Sequence, residues 1–181
     1  AGVVKPGMLL DTAGTAAVLA CCTDRFVADR EHRALLTMRS VVEGIWNPLA
    51  YIAGGGLALR WFRDNWSGRD GGYDRMFELA MEAPPGCDGL MFSPHLGGRI
   101  CPAAPEMRGA WIGFSWSHSQ AHFFRAMAES VAYEYAYYLR IVRGLLPDLR
   151  LVEARVIGGG AQSGVWNQIK ADILQTPYKR V

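Results

Sequence analysis

The chain has 181 residues, 50% of them hydrophobic and 20% charged, enough to bury roughly 70% of its unfolded surface in one compact body. Its 19 Lys plus Arg against 17 Asp plus Glu give a formal charge of +2, and no window holds the basic run that tracking a phosphate backbone requires, which argues against nucleic acid as a partner. No apolar stretch approaches the roughly 20 residues that cross a bilayer, which argues against a membrane span, and Ala1 to Gly7 show no leader pattern.

The expectation is a soluble, cytoplasmic chain. Cys21, Cys22, Cys87 and Cys101 form no CxxC pair and have no His at zinc-finger spacing, so they read as free thiols of a reducing compartment. The start at Ala1 and the stop at Val181 read as cuts at both ends of a longer domain.

From Met8 to Cys22 two apolar segments flank Ala13-Gly14-Thr15, the pattern of a buried hairpin whose tight turn uses Gly14. The charges around Asp29 to Arg33 read as a solvated loop or edge. Trp46 to Trp66 carries Leu49, Ile52, Leu57, Leu59, Trp61 and Phe62 at spacings closer to a buried helix than to a strand, interrupted by Gly54, Gly55 and Gly56. Those glycines cost about 1 kcal/mol each in a helix interior. Close packing of another backbone explains them better than close approach of a ligand.

A short helix is expected over Gly72 to Met81, with Tyr73, Phe77 and Ala80 on one side. Pro84 to Ala110 is dense in Pro and Gly and reads as loops around at most one short strand, Leu90 to Ser93. Ser117-His118-Ser119-Gln120 has the form of a capping box. It opens a long helix with one apolar face from Ala121 to Val142 and with Gly144 as its stop. His118 and His122 lie four apart, but no acidic third ligand accompanies them, so a metal site is not assigned.

Leu151 to Ile157 alternates as a strand and runs into Gly158-Gly159-Gly160-Ala161-Gln162-Ser163, followed by a helix that ends near Gln175. Glycines let an anion or a flat ring approach the main chain, and Ser163 suits the N-cap of a helix whose start offers unpaired N–H groups. A Walker A loop is excluded because Gly-Lys-Ser/Thr occurs nowhere, and a Rossmann fingerprint fails because no carboxylate lies near Tyr178 to Val181. Spacing alone leaves two readings, a nucleotide loop of another fold or a tight turn with no ligand.

The run GGGAQSGVWNQIKADIL, Gly158 to Leu174, resembles the adenosine motif of the FGGY carbohydrate kinases. HLGGRICP at His95 to Pro102, RGAWIGFSWSH at Arg108 to His118, RAMAESVAY at Arg125 to Tyr133 and AGTA at Ala13 to Ala16 resemble family segments in the family's order. The resemblance implies an α/β, ribonuclease-H-like fold of the actin, Hsp70 and sugar-kinase superfamily. Residues 1–181 would be the C-terminal nucleotide-binding domain, truncated at both ends and separated from its N-terminal sugar-binding domain. The implied activity is ATP-dependent, Mg²⁺-assisted phosphorylation of a sugar or polyol hydroxyl, with a ketopentose of the xylulose or ribulose kind as the substrate.

By the same resemblance Gly14 and Thr15 reach the nucleotide phosphates, through a backbone N–H and a hydroxyl. Gly56 and Arg60 present a glycine and a polar side chain to the nucleotide. Gly159, Gly160 and Ala161 lie against adenine and ribose, with Ser163 near the ring edge. Ala16 stands where many members have Ser, and Gly98 stands where the common form has Glu, which leaves Arg99 free for another partner.

The family's catalytic Asp would fall before residue 1, so no catalytic residue is assigned here, and Asp11 reads as a structural carboxylate. The isolated chain is expected to be inactive as a kinase and to self-associate, with a homodimer as the simplest form. The rival reading is a non-catalytic actin-like nucleotide-binding module.

Overall fold

A computed structural model of the chain describes residues 1–67 and 72–181. In chain order the elements are β1 (Met8–Ala13), β2 (Ala17–Cys21), β3 (Leu36–Arg39), β4 (Trp46–Ile52), α1 (Gly55–Phe62), α2 (Gly72–Ala80), β5 (Met91–Ser93), β6 (Ala110–Ile112), α3 (Gln120–Leu145), β7 (Glu153–Ile157), α4 (Gly164–Leu174) and β8 (Tyr178–Arg180). Six strands form a mixed sheet in the order β3-β4-β2-β1-β7-β8, and β5 pairs with β6 in a separate hairpin. β1 is antiparallel to β2 and parallel to β7, so the chain leaves β2 and returns through α3 to lay β7 beside β1, as a parallel pair requires.

The hairpin expected at Met8 to Cys22 is present, with Ala13 opposite Ala17 across the turn. Leu9, Asp11 and Ala13 alternate onto one buried face of β1, as Ala17, Leu19 and Cys21 do on β2. Two expectations are corrected downstream. Trp46–Ile52 is a strand, not the start of a helix, because the buried set is Pro48, Ala50 and Ile52 at period two. Leu49 and Tyr51 are half-buried on the opposite face, so apolar residues on both sides hide the alternation. The helical part of the segment is α1 alone.

The second correction concerns α3. Its N-cap is Ser119, not Ser117, and the reciprocal partner at the third helical position is His122 instead of Gln120. The helix also runs through Gly144 to Leu145, and the Leu146 N–H closes it on the Val142 carbonyl. Beyond the single strand expected in the Pro84–Ala110 loops, β5 has a partner in β6. The last strand, β8, lies parallel to β7, although its three residues carry no pattern of their own.

α3 is the spine of the core. Arg125 and Glu129 form a buried ion pair at 2.7 Å, and Arg125 also donates to the Ala83 carbonyl at 3.0 Å while Glu129 accepts from the Gly86 N–H at 3.2 Å. The Arg125–Tyr133 motif thereby ties the Pro84-Pro85 connection to the helix. Arg99 finds its partner in Glu134, at 3.3 Å. All four cysteines are free thiols, and burial pushes Cys21 and Cys87 up to about 12, which keeps them protonated and unreactive. Among the described residues no helix is long and apolar enough to cross a membrane.

Candidate functional site

Three backbone features meet at the carboxyl ends of β1 and β7. The first is the Gly14-Thr15-Ala16 turn. Its Gly14 N–H, expected to face a ligand, is already engaged, donating to the Thr12 and Ala16 carbonyls at 3.1 and 3.0 Å. The turn therefore offers the exposed Thr15 hydroxyl.

The second feature is the start of α1. The Gly56 and Leu57 N–H groups donate to the Gly14 and Thr15 carbonyls at 3.1 and 3.0 Å, so the helix is docked on the turn by its own free N-terminal donors. A Cβ on Gly56 would stand 2.2 Å from the Gly14 oxygen, and one on Gly55 2.3 Å from the Ala17 Cβ. Backbone packing is thus the reason for these glycines, as the sequence favoured.

The third feature is the loop after β7. Gly158 adopts φ +92° and abuts the Ala13 carbonyl, a conformation that favours glycine. Residues Gly159–Gln162 form one 3-10 turn. Ser163 then caps α4, its hydroxyl accepting from the Trp166 N–H at 3.1 Å, as expected. Gly160 packs beneath, where a Cβ would meet the Trp166 ring at 2.4 Å, whereas a Cβ on Gly159 would meet nothing within 4 Å.

Between these features lies a cavity of about 570 Å³, within the size range of small-molecule sites. Of the eight positions singled out by sequence, Gly14, Thr15, Gly56, Arg60, Gly159, Gly160 and Ser163 line it. Ala161 does not; it is buried below the loop, in the hydrophobic core. Arg60 stands one turn after Gly56 on α1, exposed, and no hydrogen bond or ion pair holds its guanidinium among the described residues.

Sequence reasoning missed the wall built by α2. Tyr73, Asp74 and Phe77 line the cavity together with Gln162 and Trp166. Phe77 stacks on Trp166 with ring centroids 6.1 Å apart and planes 26° apart, and the Trp166 ring N–H donates to the Ala128 carbonyl at 3.0 Å. The Tyr73–Phe77 spacing marked a buried helix face, but nothing in the sequence said that its neighbour would be a cavity.

Behind the site Asp11 and Lys170 are both fully buried and paired. Asp11 also accepts from the Tyr135 hydroxyl at 3.0 Å, and the Lys170 ammonium lies 4.5 Å from the Trp166 ring centroid. Burial holds the Lys170 pKa below the usual lysine value, with Asp11 opposing the shift. Asp11 is therefore the structural carboxylate expected, linking β1 to α3 and α4. The Nδ1 atoms of His118 and His122 are engaged locally, and Nε2 of His122 pairs with Asp88 at 3.2 Å. Nδ1 of His118 accepts from the Ser115 N–H and Nδ1 of His122 from the Ser119 N–H, at 2.7 and 3.2 Å.

Residues 11–181 match the family described as the FGGY family of carbohydrate kinases, C-terminal domain. Among curated proteins the chain is 29% identical to the gluconokinase of Bacillus subtilis, over 96% of this chain and 35% of that protein. It is 28% identical to a xylulose kinase of Staphylococcus epidermidis, over 100% of this chain and 36% of that protein. Among solved structures, xylulose kinase from Rhodospirillum rubrum superposes with a TM-score of 0.85 at 27% identity, covering 99% of this chain and 36% of that one. The chain thus spans little more than a third of the relatives it matches. The glycerol kinase of Plasmodium falciparum, solved with ADP, shares the fold at TM-score 0.82 and 17% identity.

Proposed function

Because the chain belongs to the FGGY family of carbohydrate kinases, with their actin- and Hsp70-like fold, we propose that it is the nucleotide-binding domain of an enzyme that transfers the γ-phosphoryl group of ATP to a sugar hydroxyl. The observation that carries this reading is the cavity itself, walled by the Gly14–Thr15 turn, the Gly159–Gly160 loop and Arg60, whose guanidinium has no ion-pair partner among the described residues. Its residues fit a nucleotide. Gly159 leaves open space where a side chain would stand, which lets a flat base lie against the main chain. Thr15 and Arg60 supply a hydroxyl and a fixed positive charge for phosphate oxygens.

When bound, ATP would supply the transferable phosphoryl group, and Mg²⁺ would neutralise the charge of its phosphates. This chain's part is alignment. A rigid turn and a capped helix hold the nucleotide against a fixed wall, and the Phe77–Trp166 stack excludes water from one side of the cavity. The family resemblance assigns the acceptor's proton to a group outside these residues, so we propose that the chain by itself binds nucleotide without turning over sugar.

For the acceptor we favour a ketopentose of the xylulose or ribulose kind, supported by the xylulose kinase relatives. An aldonic acid is the second reading, favoured by the 29% identity to a gluconokinase. The test is calorimetric titration of the purified chain with MgADP against MgGDP. Saturable binding that prefers ADP is the expected result, and a folded sample that binds neither refutes the assignment.

A further inference from the structure

Among the described residues the cavity is lined by one carboxylate, Asp74, in the first turn of α2. It is exposed, and no hydrogen bond or ion pair among the described residues engages it. Arg63, on the π-helical turn Arg63–Ser67 that follows α1, is committed elsewhere, since it pairs with Asp64 at 2.7 Å and lies 4.7 Å over the Tyr73 ring. An unpaired carboxylate on the wall of a site for a polyanion is unfavourable near the phosphates. It has to meet a part of the ligand that donates hydrogen bonds.

A chain of contacts separates Asp74 from the Gly14–Thr15 turn. Ala13, beside that turn, touches Gly160, and Gly160 touches the Trp166 ring. Trp166 stacks on Phe77, and Asp74 lies one turn before Phe77 on α2. A nucleotide with its phosphates at Gly14 and Thr15 therefore presents its nucleoside to Asp74. Two kinds of donor are available there, the ribose hydroxyls and the N–H groups of the base.

The chemistry separates them. At a base edge a carboxylate favours guanine, which offers two adjacent N–H donors, over adenine, whose amine sits beside a lone pair that repels an anion. The vicinal 2′- and 3′-hydroxyls give a carboxylate two donors whatever the base, the use to which an acidic side chain is put in dinucleotide sites of other folds. We propose that Asp74 accepts hydrogen bonds from the ribose hydroxyls and so sets a preference for ribonucleotides. This rests on the nucleotide-site reading above and adds the group that reads the sugar of the nucleotide.

The experiment is calorimetric titration of the full 181-residue chain, and of Asp74→Ala and Asp74→Asn, with MgADP, Mg-2′-deoxyADP and MgGDP. Circular dichroism checks that each variant is folded. The wild-type chain is expected to bind ADP about tenfold more tightly than 2′-deoxyADP, the scale of a hydrogen bond to a charged group. Asp74→Ala should weaken ADP by a similar factor and leave 2′-deoxyADP unchanged, so that the two become equal, and Asp74→Asn should restore part of the preference. Three results overturn the proposal: a preference for ADP over 2′-deoxyADP that survives in Asp74→Ala, an equal loss for both nucleotides, or a change confined to the ADP-to-GDP ratio, which would put Asp74 at the base. Failure of the wild-type chain to bind any nucleotide sinks the site reading and this inference together, a result distinct from the other three.

Discussion

Replacing Gly160 and Gly159 by alanine, one at a time, separates packing from ligand approach within a single loop. At Gly160 the new Cβ would stand 2.4 Å from Cζ3 of Trp166, 2.9 Å from its Cε3 and 2.9 Å from the Ala13 Cβ. The ring cannot swing away freely. It is 2% exposed, its N–H is bonded to the Ala128 carbonyl, and Phe77 and the Lys170 ammonium lie against it. Overpacking of this kind costs about 1–3 kcal/mol, which for a chain of this size lowers Tm by roughly 2–12 °C.

At Gly159 the added methyl meets nothing within 4 Å and no positive φ is required. Its main effect on stability is to restrict the unfolded chain, a gain of about 0.4–1 kcal/mol. Scanning calorimetry should therefore show Gly160→Ala melting well below the wild type and Gly159→Ala at or slightly above it. The larger Gly159→Val fills the cavity and should weaken MgADP binding while the fold is retained. Equal melting temperatures for the two alanine variants, or a lower one for Gly159→Ala, would refute the reasoning.

Lys170→Met should destabilise by about 3–5 kcal/mol, read as a lower urea midpoint, because it leaves the Asp11 carboxylate buried without its ammonium partner, beside the neutral Tyr135 and Tyr178 hydroxyls. The double variant Asp11→Leu/Lys170→Met should recover most of that loss, and a double variant no better than the single one would contradict the account. Acid sensitivity tests Glu134. Burial raises its pKa, but the His95 hydrogen bond and the Arg99 and His95 charges outweigh this and hold it below the ordinary 4.5. A carboxylate depressed in the folded state stabilises fully above its unfolded pKa and loses that contribution as pH falls through the folded value. Urea stability of the wild type should therefore fall more steeply below pH 4.5 than that of Glu134→Gln, and identical slopes would refute the assignment.

The features legible in the sequence are those whose signal is local. The Met8–Cys22 hairpin, the Ser163 cap and the end of α4 near Gln175 all depend on residue types a few positions apart, and each is where the sequence put it. β4 escaped because it is apolar on both faces, which removes the period-two signature. The cap of α3 was misplaced by two residues because Ser117 and Ser119 compete, and the reciprocal bond is made by a histidine that no acidic or amide rule anticipates. The glycine run at 158–160 shows a deeper limit. Its three members look equivalent as letters, but one serves a positive φ, one the close approach of Trp166 and one an open wall. The α2 wall was invisible for the same reason, since a helix face buried by a neighbour and one facing a cavity share a single periodicity.

The buried Asp11–Lys170 pair explains how two walls contributed by distant parts of the chain keep a fixed separation. Asp11 lies on β1, three residues before Gly14, and Lys170 lies on α4, the helix that Ser163 begins. Apolar side chains at these positions would tolerate a small slide of the helix along the sheet at little cost, because dispersion contacts are individually weak and replaceable. A slide that separates the carboxylate from the ammonium leaves two unpaired charges out of water, a penalty of several kcal/mol per ion. Tyr135 holds the other carboxylate oxygen from α3, and the Lys170 ammonium lies over the ring of Trp166, the residue on which Gly160 packs. The strand, the helix and the glycine loop therefore move together or not at all, and the distance between the Gly14–Thr15 turn and the Gly159–Gly160 loop is set by an ionic contact that lies behind both of them.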